Sequence, residues 1–416
     1  MSSFLRFSAL PAFLPSQSER HYRWTVLAIG VAAQASFAAA FSGLPVTGVL
    51  MRNAYQMTTT QLGLVLGCMA LGVTFSEVFW GLVTDKYGDR KVLLTGLLST
   101  GLALFGLGVF EVPQGVHAPS YLHLCMGLVL VGLLGGSVNS SSGRAIMGWF
   151  NDGQRGLAMS IRQTAVPAGG AIGAALLPML AQPWGFRAVF FALAALCVFS
   201  ALLTWLWLHE PTASAPFRSN HGAASVDPSP LYRMDVWRLA IACGLLTAPQ
   251  ISVLAFGGVF LQDMKSASLP LIAGVIVMVQ VTGSIARIVI GQRSDRGADR
   301  RALLRSIGLL AASATACTAL FANANAYCTA MLLCLSGLTA SAWHGVAYTE
   351  IAIMAGPMRA GTALGIMGMT IFASAFLTPV LIPFILSSTS WPITWGVIAA
   401  AALLAVPIAP KSLSPR

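Results

Sequence analysis

Twelve long apolar stretches, separated by polar or Gly/Pro-rich breaks, leave this chain few ways to fold. They lie near residues 24–50, 61–82, 91–111, 120–148, 157–181, 187–208, 237–262, 270–291, 302–322, 326–349, 360–386 and 391–409. Each is of roughly the 17 to 25 residues, or more, that a helix needs to cross a bilayer. The runs carry no polar alternation, and a lipid interior admits only helices or closed barrels because every backbone N–H and C=O there must be paired within the protein. Composition agrees: 56% of residues are hydrophobic, mean hydropathy is +0.77 and only 9% are charged, against about 25% in soluble proteins. The expected fold class is an all-α membrane protein with twelve transmembrane helices.

The few charges are concentrated. GLVTDKYGDRK at 81–91 and GQRSDRGADRR at 291–301 share a pattern in which Gly81, Asp85, Arg90 and Lys91 recur as Gly291, Asp295, Arg300 and Arg301, each 210 positions further on. RGLA at 155–158 is echoed by RAGTALG at 359–365. A shift of half the chain marks a duplicated architecture, and two six-helix pseudo-symmetric halves follow from it. The stretch rich in Ser, Ala, Pro and charge at 209–235 joins them. The reading is an N-terminal tail (1–23), a six-helix half (24–208), a linker (209–236), a second half (237–409) and a C-terminal tail (410–416).

The net charge of +11 does not point to nucleic acid, because the bases sit in alternate loops rather than on one soluble module. With both termini cytoplasmic, only Arg52, Arg187 and Lys265 among the loop bases fall outside, and the positive-inside rule then fixes the orientation. The first twenty residues, interrupted by Pro11 and Pro15, read as a retained tail rather than a cleaved signal peptide. Seven cysteines, odd in number and without a C-x-x-C pair, read as packing residues. No metal, disulfide or cofactor is implied.

Gly81-x-x-x-Asp85-x-x-Gly88-x-Arg90-Lys91 resembles the signature loop between helices two and three of the major facilitator superfamily, and residues 291–301 resemble its weaker partner between helices eight and nine. WFNDGQRGLA (149–158) and GFRAVFFALA (185–194) are similar to further family segments. The resemblance spans essentially the whole chain and implies a secondary transporter of the bacterial type in the cytoplasmic (inner) membrane, working as a monomer. Two departures weigh against a drug antiporter: the arginine that many members carry early in helix four is absent, and the helix-five Gly-Pro motif survives only as VPAGGAIG (166–173). Residue chemistry gives the signature a physical role. Gly81 lets a neighbouring helix approach, and Asp85 can accept hydrogen bonds from a helix N-terminus and attract bases such as Arg90. The group Gly81, Asp85, Gly88, Arg90, Lys91, Gly291, Asp295, Arg300 and Arg301 is therefore expected to latch one conformation. The alternative, that these charges only set topology, accounts for Arg90 and Lys91 but not for the spacing of Gly and Asp.

A charge in the bilayer is costly and marks function by default. Glu77 and Glu350 are the acids inside apolar segments, and Arg162, Arg287 and, nearer the cytoplasmic end, Arg144 are the bases. Glu77 and Arg287 occupy equivalent places in the two halves. Gln280, Ser284, Arg287 and Gly291 form one polar stripe at helical spacing, with Thr74, Glu77 and Gly81 as its counterpart. In superfamily transporters for nitrate, oxalate and monocarboxylates, an arginine four residues before the loop glycine binds the anion, and Arg287 matches that position by resemblance. Its guanidinium offers a planar fork to a carboxylate; the competing reading is that it snorkels to cytoplasmic water. A carboxyl removed from water can hold a proton near neutrality, which makes Glu77 the expected proton carrier unless it is locked in an ion pair with Arg287 or a loop base. Glu350 is expected to pair with Arg144 or Arg359 at the inner surface. Gln34, Asn139, Gln250, Ser341, His344 and Tyr348 could hydrogen-bond a small ligand, although a lone membrane histidine more often bonds another helix. Arg162 is a second anion ligand to consider, placed near the inner end of helix five.

The resulting expectation is proton-coupled uptake of a small, monocarboxylate-like organic anion, with a proton-driven exporter of drugs or metabolites as the alternative. The chain has no H-E-x-x-H, G-x-S-x-G or Walker loop, so zinc-hydrolase, serine-hydrolase and ATP-driven chemistry lack their residues.

Overall fold

A computed structural model of the chain describes residues 17–113, 118–210 and 228–411. Most of the expected N-terminal tail, the middle of the linker with Arg218, and the last five residues lie outside the described residues. Among the described residues there are fifteen α-helices and no strand. They are α1 (Gln17–Gly43), α2 (Gly48–Ala54), α3 (Thr59–Tyr87), α4 (Asp89–Phe110), α5 (Tyr121–Gly135), α6 (Ser137–Trp149), α7 (Arg155–Gln163), α8 (Ala165–Trp207), α9 (Met234–Lys265), α10 (Leu269–Asp295), α11 (Arg300–Leu320), α12 (Ala326–Ser341), α13 (His344–Ala355), α14 (Ala360–Ser388) and α15 (Trp391–Ile408).

Eleven helical runs are long and apolar enough to cross a membrane. One of them, Arg155–Trp207, has 53 residues, which as a straight helix would measure about 80 Å against a hydrocarbon core of about 30 Å. It is two spans. The backbone leaves helical geometry at Gly185 (φ 69°, ψ −172°), a conformation that glycine adopts without steric cost, so the chain reverses there and the protein has twelve transmembrane helices.

Several helix starts are closed by local chemistry. Thr58 and Gln61 form a reciprocal capping box at the start of α3, and Asn325 and Ser120 cap α12 and α5, satisfying N–H groups that lack intrahelical partners. The apolar interior forms several clusters. One large buried cluster is drawn from residues 26–208 around Leu93, Leu97, Leu104, Phe190 and Leu193. A second, around Trp343, joins residues of the later helices to Met147 and Met159, and a third lies around Phe260 and Trp395. Outward-facing Phe75, Leu102, Phe110 and Phe384 are mostly exposed, which suits a lipid-facing surface and no other solvent.

Three spans are interrupted midway, and the interruptions position the site. The fourth breaks at Gly136 between α5 and α6, the fifth at Thr164 between α7 and α8, and the tenth at Ala342 and Trp343 between α12 and α13. Irregular backbone at membrane depth is tolerated only where protein groups satisfy it. Pro167 shows the cause in the fifth span: proline has no N–H to give the carbonyl four residues back, which leaves Gln163 C=O free.

Candidate functional site

The freed carbonyls are taken by arginines. Arg287 of α10 is 2% exposed. Its Nη1 donates to Gln163 O at 2.7 Å and its Nε to Ser341 O at 3.0 Å. It thus bridges the breaks of the fifth and tenth spans, pointing inward rather than snorkelling. Arg162 of α7 is fully buried, and its fork is gripped from three sides. Nε donates to Ser142 Oγ at 3.0 Å, and Nη2 to Gln34 Oε1 at 2.9 Å, Asn139 O at 2.8 Å and Asn139 Oδ1 at 3.0 Å. Its Nη1 has no hydrogen-bond partner among the described residues. Arg162 therefore stands at the centre of the polar cluster, although its sequence position placed it near an inner helix end.

Glu77 of α3 is also fully buried. Its Oε2 accepts from Ser140 Oγ at 3.2 Å, while Oε1 lacks a partner among the described residues. No ion pair within 4 Å joins it to Arg287, whose hydrogen bonds go to carbonyls. Asn139 connects the two halves: its Nδ2 donates to Tyr348 Oη at 3.4 Å, and the Arg162 guanidinium lies 6.0 Å from the Tyr348 ring centroid. The structure thus gathers Gln34, Asn139, Arg162, Glu77 and Tyr348, with Arg287 and His344 adjoining through Ser341. His344 Nδ1 lies 3.1 Å from Ser341 O, and its ring stacks on Trp343. Gln250 is buried on α9, whereas Gln280 is only partly buried. Ser284 turns its hydroxyl onto the Gln280 carbonyl of its own helix at 2.7 Å.

At the C-terminal ends of α3 and α10 the two duplicated aspartates make reciprocal contacts. Asp85 of α3 accepts from Gly361 N at 2.8 Å, Thr362 N at 2.7 Å and Thr362 Oγ1 at 2.6 Å, at the first turn of α14 in the other half. Asp295 of α10 accepts from Gly156 N at 2.9 Å and Leu157 N at 2.8 Å, at the first turn of α7. Each carboxylate therefore meets the unpaired N–H groups and the positive end of a helix dipole. The glycines make the approach possible. A Cβ on Gly81 would stand 2.4 Å from Gly361 O, and one on Gly291 would stand 2.5 Å from Gly156 O.

Several expected pairings are corrected. Arg90 does not join Asp85; its Nη2 donates to Trp205 O at 2.7 Å. The base beside Asp85 is Arg144, with Nε 3.3 Å away and Nη1 2.8 Å from buried Asp89. Glu350 of α13 pairs with Arg301, at the start of α11, at 2.6 Å instead of Arg144. Arg300 lies 3.9 Å from Asp295. Gly88, with φ 91°, turns the chain from α3 into α4 and packs under the Glu210 carboxylate. Lys91 is exposed.

Comparison with known proteins fits this architecture. The sequence model described as Major Facilitator Superfamily matches residues 30–350. An uncharacterised MFS-type transporter of Mycobacterium tuberculosis is 31% identical over 94% of this chain and 86% of its own length. A probable sulfoacetate transporter of Cupriavidus necator is 29% identical over 38% of this chain and 35% of its own. Further partial matches are named for substrates as different as hexuronate, nitrate and drugs. Among solved structures, a proton:xylose symporter superposes with a TM-score of 0.76 over 94% of this chain and 97% of its own at 12% identity, a likeness of fold alone. On the match over residues 30–350 and the near full-length relative, the chain belongs to the major facilitator superfamily of secondary transporters.

Proposed function

We propose that this transporter carries a small organic anion of the monocarboxylate kind into the cell together with protons, acting as a monomer in a bacterial inner membrane with both termini cytoplasmic. The observation that carries the reading is a charge imbalance at membrane depth. Two buried guanidiniums, Arg162 and Arg287, stand against one buried carboxyl, Glu77, in the central polar cluster. Uncompensated charge in a low-dielectric interior is costly, so an anion arriving between the halves balances the site and a cation worsens it. A proton on Glu77 raises the net charge from +1 to +2, so proton and anion favour each other's binding, as linkage requires. Arg162 Nη1 and Glu77 Oε1, both without a partner among the described residues, are the atoms on which ligand and proton would act. The aspartate contacts at the inner ends serve as latches that hold the inner side shut and are released in the alternating cycle.

The test is a thermal-shift screen of purified protein against short carboxylates, inorganic anions, amino acids and hydrophobic cations. Stabilisation confined to anions is expected. A shift produced by hydrophobic cations and by no anion overturns the reading in favour of a drug exporter.

A further inference from the structure

Glu77 lies nearly three turns from the C-terminal end of α3, and its side chain is wedged against α14 of the opposite half. A Cβ on Gly368 would stand 2.4 Å from Glu77 Cδ and 2.6 and 2.7 Å from its two carboxylate oxygens. At Gly365, a Cβ would stand 2.4 Å from the Glu77 carbonyl oxygen, a backbone atom. Gly361, Gly365 and Gly368 share one face of α14, and Gly361 continues the contact to Gly81 and Asp85. The carboxyl is fully buried in this seam with Oε1 unpaired among the described residues. The charged or titratable groups near it are Arg162 of α7 and Tyr348 of α13. Asn139 and Ser140 of α6 are polar, and on α14 Gly368 lies against the carboxyl.

We propose that Gly368 is a positioning residue for proton coupling: it forms a notch in α14 that receives the Glu77 carboxyl and seals it from inner water while the latches hold. This rests on the reading of Glu77 as the proton carrier. Glu77 then exchanges its proton with the inner side only after α3 and α14 part. An ionised carboxylate against bare glycine would leave an oxygen without a donor, which disfavours closure, so the seam closes around the protonated form. Protonation of Glu77 therefore favours the closed inner side, and the empty, ionised carrier closes against this penalty on its return.

The experiment needs no substrate. Ser160, fully buried and packed against Gly291 and Gly345 at the inner contact of α7 with α10, is replaced by cysteine in a chain whose seven native cysteines have been removed. Its alkylation rate then reports opening. Gly368→Ala should raise the rate about tenfold or more, a change equivalent to about 1.4 kcal/mol, because the added methyl meets the Glu77 side chain. Adding Glu77→Ala should restore protection. Gly365→Ala should also open the seam, but Glu77→Ala should not rescue it, since that clash is with backbone. In the chain with Gly368 intact, the rate relative to its Glu77→Ala counterpart should rise with pH. Wild-type protection in a folded Gly368→Ala chain, or failure of Glu77→Ala to rescue it, overturns the notch. If Gly368→Ala does not fold, a pH-independent ratio alone overturns it. An anion screen that fails while these results hold would remove the proposed substrate and leave the notch standing.

Discussion

Replacing Asp85 by asparagine removes a charge while keeping size and shape, so its effect reports the electrostatics of a carboxylate that meets both the start of α14 and the Arg144 guanidinium. The carboxylate accepts three hydrogen bonds, at 2.8, 2.7 and 2.6 Å. Asparagine has one acceptor oxygen; its amide group would point N–H toward N–H at Gly361 or Thr362. At least one charge-assisted bond is lost, worth about 1.5 to 3 kcal/mol, together with a charge–dipole attraction of about 0.3 to 1 kcal/mol. The latched form should therefore lose about 2 to 4 kcal/mol, which raises the open population about thirtyfold or more. The assay is alkylation of a cysteine at Ser160 in a cysteine-free chain, with circular dichroism to establish folding. Asp295 accepts only two backbone bonds and no hydroxyl, so Asp295→Asn should open the protein less than Asp85→Asn. An Asp85→Asn chain that is folded and labels at the wild-type rate would refute the latch.

Arg287→Lys keeps the charge but replaces a planar fork with a compact ammonium that lacks the spaced Nε and Nη1 donors now given to Ser341 O and Gln163 O. Affinity for the best anion of the screen should fall about ten- to a hundredfold by calorimetry. Glu77→Gln should abolish the pH dependence of uptake yet permit exchange of substrate across the membrane, measured as counterflow; wild-type pH dependence would remove Glu77 from coupling. Pro167→Ala supplies the missing N–H for Gln163 O, which competes with Arg287 Nη1. It should raise thermal stability and weaken anion binding together, whereas unchanged binding would mean that the break does not set the arginine's position.

The spans, the duplication and the Gly-Asp spacing were legible because each is a pattern along the chain. Even the reversal between the fifth and sixth spans fell in a recognisable gap, where Gly185 now sits with positive φ. Partners across the two halves were not legible. Nothing in the sequence says that Arg90 will reach Trp205 O while Arg144 takes Asp85 and Asp89, since those choices depend on how helices distant in sequence pack. The breaks at Gly136 and Ala342 leave no mark in the sequence for a different reason: a hydropathy window averages across an interruption made of small or weakly polar residues, whereas Pro167 marks a bend in the fifth span. One signal was available. Pro167, four residues after Gln163, marks an orphaned carbonyl at membrane depth, and a buried donor must answer it. Read that way, the sequence asks for a partner such as Arg287 there, and it places neighbouring Arg162 deeper than a count from the helix end suggests.

The central claim, that an anion and a proton move inward together, is tested most directly by flux. Purified protein is reconstituted into liposomes with a pH-sensitive dye inside, and the best anion of the screen is added outside without an imposed gradient. Coupled entry predicts acidification of the lumen that depends on the anion and disappears in the Glu77→Gln chain. Anion uptake with no luminal acidification, or alkalinisation accompanying uptake of a hydrophobic cation, would contradict the account.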